Sequence, residues 1–194
     1  MKIVFRKVCL ISIAVLLILC FCCPSFAQEH DYEEVGIVWT STDFNGGYLE
    51  RTTNIKLAVA AINGTVLNNG EEFSFNRVVG QRTKSKGYKE ADVFVNSGGK
   101  TKVVKGIGGG ICQVSSTLHK AARATRMNIT ERYAHSKPVT YCSRQDEATV
   151  SWGTLDFKFI NNSGDPIRIE MKVINDSKGI PYRLVCVLWQ RVPK

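Results

Sequence analysis

Histidine is scarce in this 194-residue chain, with three in all, and neither they nor the scattered cysteines have zinc-ligand spacing. Phosphate-loop and dinucleotide-binding glycine motifs are missing too, so no metal and no cofactor is expected. There is no internal repeat and no low-complexity tract, which argues against a solenoid or a linker protein. Beyond residue 23 no apolar run approaches the roughly twenty residues that cross a bilayer as a helix. Negative charge is also short, with 17 Asp and Glu against 26 Lys and Arg and a formal charge of +9.

What is present first is an export signal. Lys2, Arg6 and Lys7 precede an uncharged run from Val8 to Cys23, and Pro24-Ser25-Phe26-Ala27 then leads into polar Gln28. That order predicts a secretory signal peptide over residues 1–27, cleaved after Ala27. An uncleaved N-terminal anchor is the competing reading, although the run is short for a span. A lipid-attached form is disfavoured because bulky Leu19 precedes Cys20. The remainder suits one core, and we expect a single secreted, extracytoplasmic domain at the cell-wall or outer membrane-surface side. It stays basic without Lys2, Arg6 and Lys7. Outside a cell the anionic partners for such a protein are wall polymers and a membrane surface rather than nucleic acid; plain solubility explains the charge equally well. Nothing in the sequence bears on oligomeric state.

Of seven cysteines, Cys9, Cys20, Cys22 and Cys23 leave with the signal. Cys112, Cys142 and Cys186 remain, an odd number, so either two pair and one is spared or all three stay thiols. Pairing Cys142 with Cys186 would spare Cys112, but Leu184-Val185-Cys186-Val187-Leu188 reads equally well as a core strand.

Residues 28–50 are polar, acidic and aromatic without a clear period, as in an extended arm or leader strand. A first helix follows, capped near Thr52 and Thr53, with Ile55, Val59 and Ile62 on one face and Gly64 as its stop. The stretch from Arg82 to Lys105 is rich in lysine and glycine and reads as an exposed loop and hairpin. A second helix runs from Gln113 to about Arg126, directly after Gly106-Ile107-Gly108-Gly109-Gly110-Ile111-Cys112. The last third changes to period two, over Ala148 to Asn161, Ile167 to Ile174 and Arg183 to Gln190. Two main helices followed by an antiparallel meander make an α+β fold. Trp39, Trp152 and Trp189 are expected in the core.

Cys112 stands where a glycine-rich segment meets a helix. The positive end of the helix dipole favours a thiolate there, and a glycine run lets backbone amides face a developing oxyanion. The alternative is a small buried hydrophobe beside a tight turn. A nucleophile needs a base, and His30, His119 and His135 are the choices. His119 lies two turns along the same helix face, whereas His135 sits in an irregular segment of the kind that presents functional side chains, and is favoured. Asp146, Glu147 and Asp156 are carboxylates able to orient it, and spacing does not separate them. Ser115, Ser116 and Thr117 read as capping or packing groups.

Arg51 with Asn54-Ile55, Ile62-Asn63-Gly64, Phe73-Ser74-Phe75-Asn76, Arg82-Thr83, Gly87-Tyr88, Gly108-Gly109-Gly110-Ile111-Cys112-Gln113-Val114-Ser115-Ser116-Thr117-Leu118, and His135-Ser136 through Tyr141 together resemble the VanW family. The resemblance runs from about Arg51 to Ile174, and residues 51–194 are assigned as the VanW-like domain. It implies an extracytoplasmic protein of mainly Gram-positive bacteria, named from vancomycin-type glycopeptide-resistance clusters. It further implies L,D-transpeptidation of peptidoglycan stem peptides. Cys112 would attack the third residue of a tetrapeptide stem and expel D-alanine, and His135 would shuttle the proton. Gly109, Gly110 and the amides of Cys112 and Gln113 would face the oxyanion, with His119 nearby. Glu147 stands where the family places an aspartate, in Gln145-Asp146-Glu147-Ala148. The reading from a different class is a non-catalytic accessory protein that binds peptidoglycan or glycopeptide. A thiol redox protein ranks low, because Cys112 has no neighbouring cysteine in sequence.

Overall fold

The computed structural model describes residues 32–43 and 49–193. The expected signal peptide, residues 1–27, lies outside them. In chain order the elements are β1 (Tyr32–Asp43), α1 (Leu49–Ile62), β2 (Val66–Leu67), β3 (Glu72–Ser74), α2 (Phe75–Val79), β4 (Glu90–Ser97) and β5 (Lys100–Ile107), followed by α3 (Ile111–Ala124), β6 (Asn128–Glu131), β7 (Lys158–Ile160), β8 (Ile167–Asn175) and β9 (Pro181–Pro193). This is an α+β architecture.

The period-two segments near the C-terminus pair across the Asp176–Gly179 turn, where Asp176 Oδ1 accepts from the Lys178 and Ile180 amides at 2.9 and 2.8 Å. Strand β1 adds to the free edge of β9 and β2 to that of β8, giving the antiparallel order β1-β9-β8-β2. Leu184 through Leu188 are all buried in β9, while Ile167, Ile169 and Met171 alternate inward from β8. A second antiparallel sheet, β3-β7-β6, carries Phe73 and Phe159 on adjacent strands with ring centroids 5.2 Å apart. Strands β4 and β5 form a separate hairpin that exposes Phe94, Val95, Val103 and Val104.

The two long helices lie between these layers. Ile55, Ala58, Val59 and Ile62 bury one face of α1 at helical spacing. Helix α3 is buried almost all round, its polar Gln113, Ser115, Ser116, Thr117 and His119 included. Both helices begin before their expected starts, α1 at Leu49 and α3 at Ile111. The start of α3 has no side-chain cap; Gly110 supplies it in the left-handed region at φ 101°.

From Ala148 to Asn161 the expected strand shrinks to Lys158–Ile160, with one bridge between Ser151 and Leu155. Side chains claim the backbone that a ladder would have used. Ser116 Oγ accepts from the Ala148 amide at 2.9 Å, Ser115 Oγ donates to the Ala148 carbonyl at 2.6 Å, and Glu131 accepts from the Asp156 amide at 2.9 Å. Cys112, Cys142 and Cys186 form no disulfide. Cys186 is in the core of β9, so the pairing considered with Cys142 does not form.

One buried side chain ties α1 to the glycine run. Asn54 Nδ2 donates to the Lys89 and Gly109 carbonyls at 3.0 Å each, and its Oδ1 accepts from the Lys89 amide at 2.7 Å. Gly109 is itself pressed against β4, where an added Cβ would stand 2.6 Å from the Asp92 carbonyl oxygen. Asn54→Ala strands the Gly109 carbonyl and the Lys89 amide, while the Lys89 carbonyl keeps the Gly108 amide at 3.1 Å, and is expected to cost about 2–3 kcal/mol. Thermal unfolding should therefore fall by roughly 4–12 °C, and a melting curve superimposable on the wild type would refute this role.

Candidate active site

A cleft of about 1310 Å³ opens between the hairpin, the start of α3 and the irregular segment that follows β6. Its wall includes Arg51 from α1, Arg82, Asp92 to Val95 of β4, Gly108 to Gln113, His135, Pro138 to Tyr141, and Thr149 to Trp152. Gly110 must be glycine for space as well as for φ, since a Cβ there would lie 2.7 Å from Arg51 Cγ.

Cys112 lies in the first turn of α3, half-buried at this wall. Its Sγ donates weakly to the Val150 carbonyl at 3.6 Å. The dipole argument expects a lowered thiol pKa, whereas here burial pushes it up, partly offset by the Val150 contact, the Arg82 and Arg51 guanidiniums and the residue's own amide. Cys112 is therefore a protonated thiol at neutral pH and needs a base to become a nucleophile.

His135 is buried, with its backbone amide donating to Glu147 Oε2 at 2.8 Å and its ring Nδ1 3.3 Å from the same oxygen. With Nδ1–H facing the carboxylate, Nε2 is left to accept from the Tyr141 hydroxyl at 3.2 Å. Arg144 Nη1 donates to the His135 carbonyl at 2.6 Å and lies 3.3 Å from Glu147. Burial holds the His135 pKa below its ordinary value even though Glu147 pulls it up, so the imidazole is neutral near pH 7. Burial pushes the Tyr141 phenol well above its ordinary value, with the nearby Cys112 adding to the shift and Ser116 reaching the same oxygen. The sequence contains Glu147, His135 and Cys112 as separate candidates; the fold joins the first two by hydrogen bonds, and His135, Tyr141 and Cys112 line one cleft.

The other candidates take different places. His119 is buried away from the cleft wall, its Nδ1 3.0 Å from the Asp146 carbonyl and its ring edge-on to Phe157 at 5.3 Å. Asp146 accepts from Ser143 at 2.8 Å and Arg123 at 2.6 Å. Asp156 takes the Ser74 hydroxyl and the Asn76 amide at the start of α2. The Gln113 amide is spent on the Gly110 carbonyl at 3.1 Å, and Gln113 Oε1 accepts from Arg51 Nη2 at 2.9 Å, so Gln113 positions Arg51 instead of facing an oxyanion. Gly109 and Gly110 do lie on the cleft wall, and the Gly109 carbonyl is held by Asn54.

Three functional positions had gone unassigned. Tyr141, Arg51 and Arg82 belong to the quoted motifs, yet nothing local in sequence says that they meet around Cys112. Trp152, expected in the core, is 48% exposed on the cleft rim; Trp189 instead packs with Arg168 and donates to Glu170. Among the described residues no three His, Cys, Asp or Glu side chains converge as metal ligands.

Comparison with known proteins bears on this constellation. The chain matches the VanW family, described as VanW like protein, over residues 50–181. It is 46% identical over 131 residues to the uncharacterized protein YoaR of Bacillus subtilis (strain 168), covering 68% of this chain and 42% of that one. It is 32% identical over 129 residues to the vancomycin B-type resistance protein VanW of Enterococcus faecalis (strain ATCC 700802 / V583), covering 63% and 46%. The chain thus matches less than half the length of either relative, and no solved structure matches it. All of the cleft residues discussed above fall within the matched region, and this chain belongs to the VanW family.

Proposed function

We propose that this protein is an extracytoplasmic, cysteine-dependent acyltransferase of the L,D-transpeptidase type acting on peptidoglycan stem peptides. The observation that carries the reading is the run of contacts from Glu147 through His135 to Tyr141, on the wall of the cleft that also holds Cys112. A buried thiol with a raised pKa is inert by itself, and a neutral imidazole reached through a hydroxyl is the group that would activate it.

In the first half-reaction the Cys112 sulfur bonds to the carbonyl carbon of the third stem residue, and the bond to the terminal D-alanine nitrogen breaks. The thiol proton passes through the Tyr141 hydroxyl to His135 Nε2 and returns to the leaving amine. In the second, an acceptor amine takes the acyl group from sulfur and its proton travels back to the thiolate by the same route. The Cys112 amide, which already faces its own sulfur, is the donor best placed for the oxyanion. Glu147 holds the imidazole orientation throughout. That one relative is named for vancomycin resistance supports a setting in cell-wall chemistry.

The protonated resting thiol favours a second reading, in which the cleft binds stem peptides or glycopeptides without turning them over. The two part on a single assay: purified protein with a synthetic tetrapeptide ending in D-alanine, followed by chromatography for free D-alanine and cross-linked product. Release that disappears in a folded Cys112→Ala protein supports the enzyme. Absence of release from the wild type, with peptide binding intact in both proteins, overturns it.

Three further outcomes follow from the relay and from the burial of the thiol. Tyr141→Phe should lower turnover about 10²-fold with little change in KM, and an unchanged rate would remove the hydroxyl from the path. In its pH profile, turnover should fall only as pH drops below the ordinary imidazole value of about 6.5, because the depressed His135 pKa keeps the base neutral above it. Alkylation of Cys112 by iodoacetamide should show a midpoint above the ordinary thiol value of about 8.5, rising further in Arg82→Gln; a midpoint near 7 would contradict the burial argument.

A further inference from the structure

Among the described residues, the two guanidiniums on the cleft wall have no directly bonded carboxylate; Asp156 acts on Arg82 only from beyond ion-pair distance. Arg51 and Arg82 both stand half-buried on that wall. Arg51 Nη2 donates to Gln113, but Nη1 is buried with no hydrogen-bond partner. Arg82 Nη1 meets only neutral acceptors, Asn76 Oδ1 at 2.7 Å and the Gly80 carbonyl at 3.0 Å. Among the described residues neither guanidinium has a carboxylate within ion-pair distance, and Asp92, the carboxylate on the cleft wall, is paired with Lys105 at 2.7 Å. A second unpartnered buried atom, Thr149 Oγ1, belongs to another part of the same wall. Taking a cation out of water without an anion is costly, and a guanidinium fork matches a carboxylate in shape and donor number. The Cys112 thiol does not supply the missing charge at rest, being protonated.

We propose that Arg51, assisted by Arg82 and the Thr149 hydroxyl, binds the free C-terminal carboxylate of the acyl donor. This rests on the acyl-transfer reading for the identity of the donor. Arg51 reaches Gln113, the residue that follows Cys112, at 2.9 Å, both arginines line the same cleft as the thiol, and one extended residue spans roughly 3.5 Å. The carboxylate recognised is therefore that of the residue directly beyond the scissile carbonyl, the leaving D-alanine itself. The site selects chains that end there: a donor one residue longer carries its carboxylate past the fork and places a neutral peptide group against the guanidiniums. Donor length is read by charge.

The test uses purified Cys112→Ala protein, which binds without turnover, and isothermal titration with two synthetic tetrapeptides that differ only in a free or amidated C-terminal carboxyl. The free acid should bind at least about tenfold more tightly than the carboxamide, as expected for a charge-assisted pair. That preference should vanish when Arg51→Gln is added, shrink with Arg82→Gln, and persist with Lys102→Gln on the hairpin surface. Arg51→Lys, which keeps the charge without the fork, should retain part of it and guards against misreading a folding defect, as do thermal melts of each variant. Equal affinity for acid and amide, a preference that survives Arg51→Gln, or no binding of either peptide would overturn the proposal. Inorganic phosphate is titrated as a competitor: displacement of the acid at a phosphate affinity exceeding that of the peptide would reassign the arginines to a phosphate ligand. Failure of the acyl-transfer reading shows separately, as loss of D-alanine release by the wild type, and would leave a carboxylate-selective binding cleft.

Discussion

One buried carboxylate organises the cleft. Glu147 is 1% exposed, and its Oε2 receives the His135 amide, faces the His135 ring and lies near Arg144. These contacts fold the chain back on itself across residues 135–147 where no ladder is available to do so. Arg132 closes the same loop by donating from Nε to the Glu147 carbonyl and from Nη2 to the Arg144 carbonyl. Removing the Glu147 carboxylate leaves the buried His135 amide without its partner, a loss of about 1–3 kcal/mol. Helix α3 supplies the other half of the anchor, with Ser115 and Ser116 gripping both backbone groups of Ala148. The polar residues that make α3 look poorly suited to a core are the ones that hold the irregular wall.

The electrostatics of the cleft follow from that scaffold. Burial raises the pKa of Cys112 and Tyr141 and lowers that of His135, so at neutral pH all three rest uncharged. Arg51 and Arg82 remain charged beside them. A site with neutral acid and base partners and spare cationic capacity is prepared for an anionic ligand and for an anion formed during reaction. The two arginines thereby serve two states, the ligand carboxylate on arrival and the thiolate as it forms.

Regular elements were readable in the sequence to the extent that one burial pattern dictated them. Ile55, Val59 and Ile62 declared α1, and the alternation of Ile167, Ile169 and Met171 declared β8. The stretch from Ala148 to Asn161 misled because its apolar alternation is real, with Ala148, Val150, Phe157 and Phe159 buried, while its backbone is bonded to side chains of α3, Glu131 and Asp156 instead of a neighbouring strand. At the site, local context singled out Cys112 and favoured His135 as candidates, and both lie on the cleft wall. It could not choose among three carboxylates, since the choice depends on a turn made by Arg132 and Arg144. Nor could it show that Arg51, 62 residues before Gln113, reaches its side chain, or that the Tyr141 hydroxyl meets His135 Nε2.

The most direct measurement of the central claim is intact-mass analysis of the protein after brief exposure to the tetrapeptide, with proteolytic mapping of any modified residue. A thioester on Cys112 bearing the acyl part of the peptide without its terminal D-alanine is expected in the wild type, accumulating less in Tyr141→Phe. A protein whose mass never changes while D-alanine is released, or an adduct mapped to a residue other than Cys112, would contradict it.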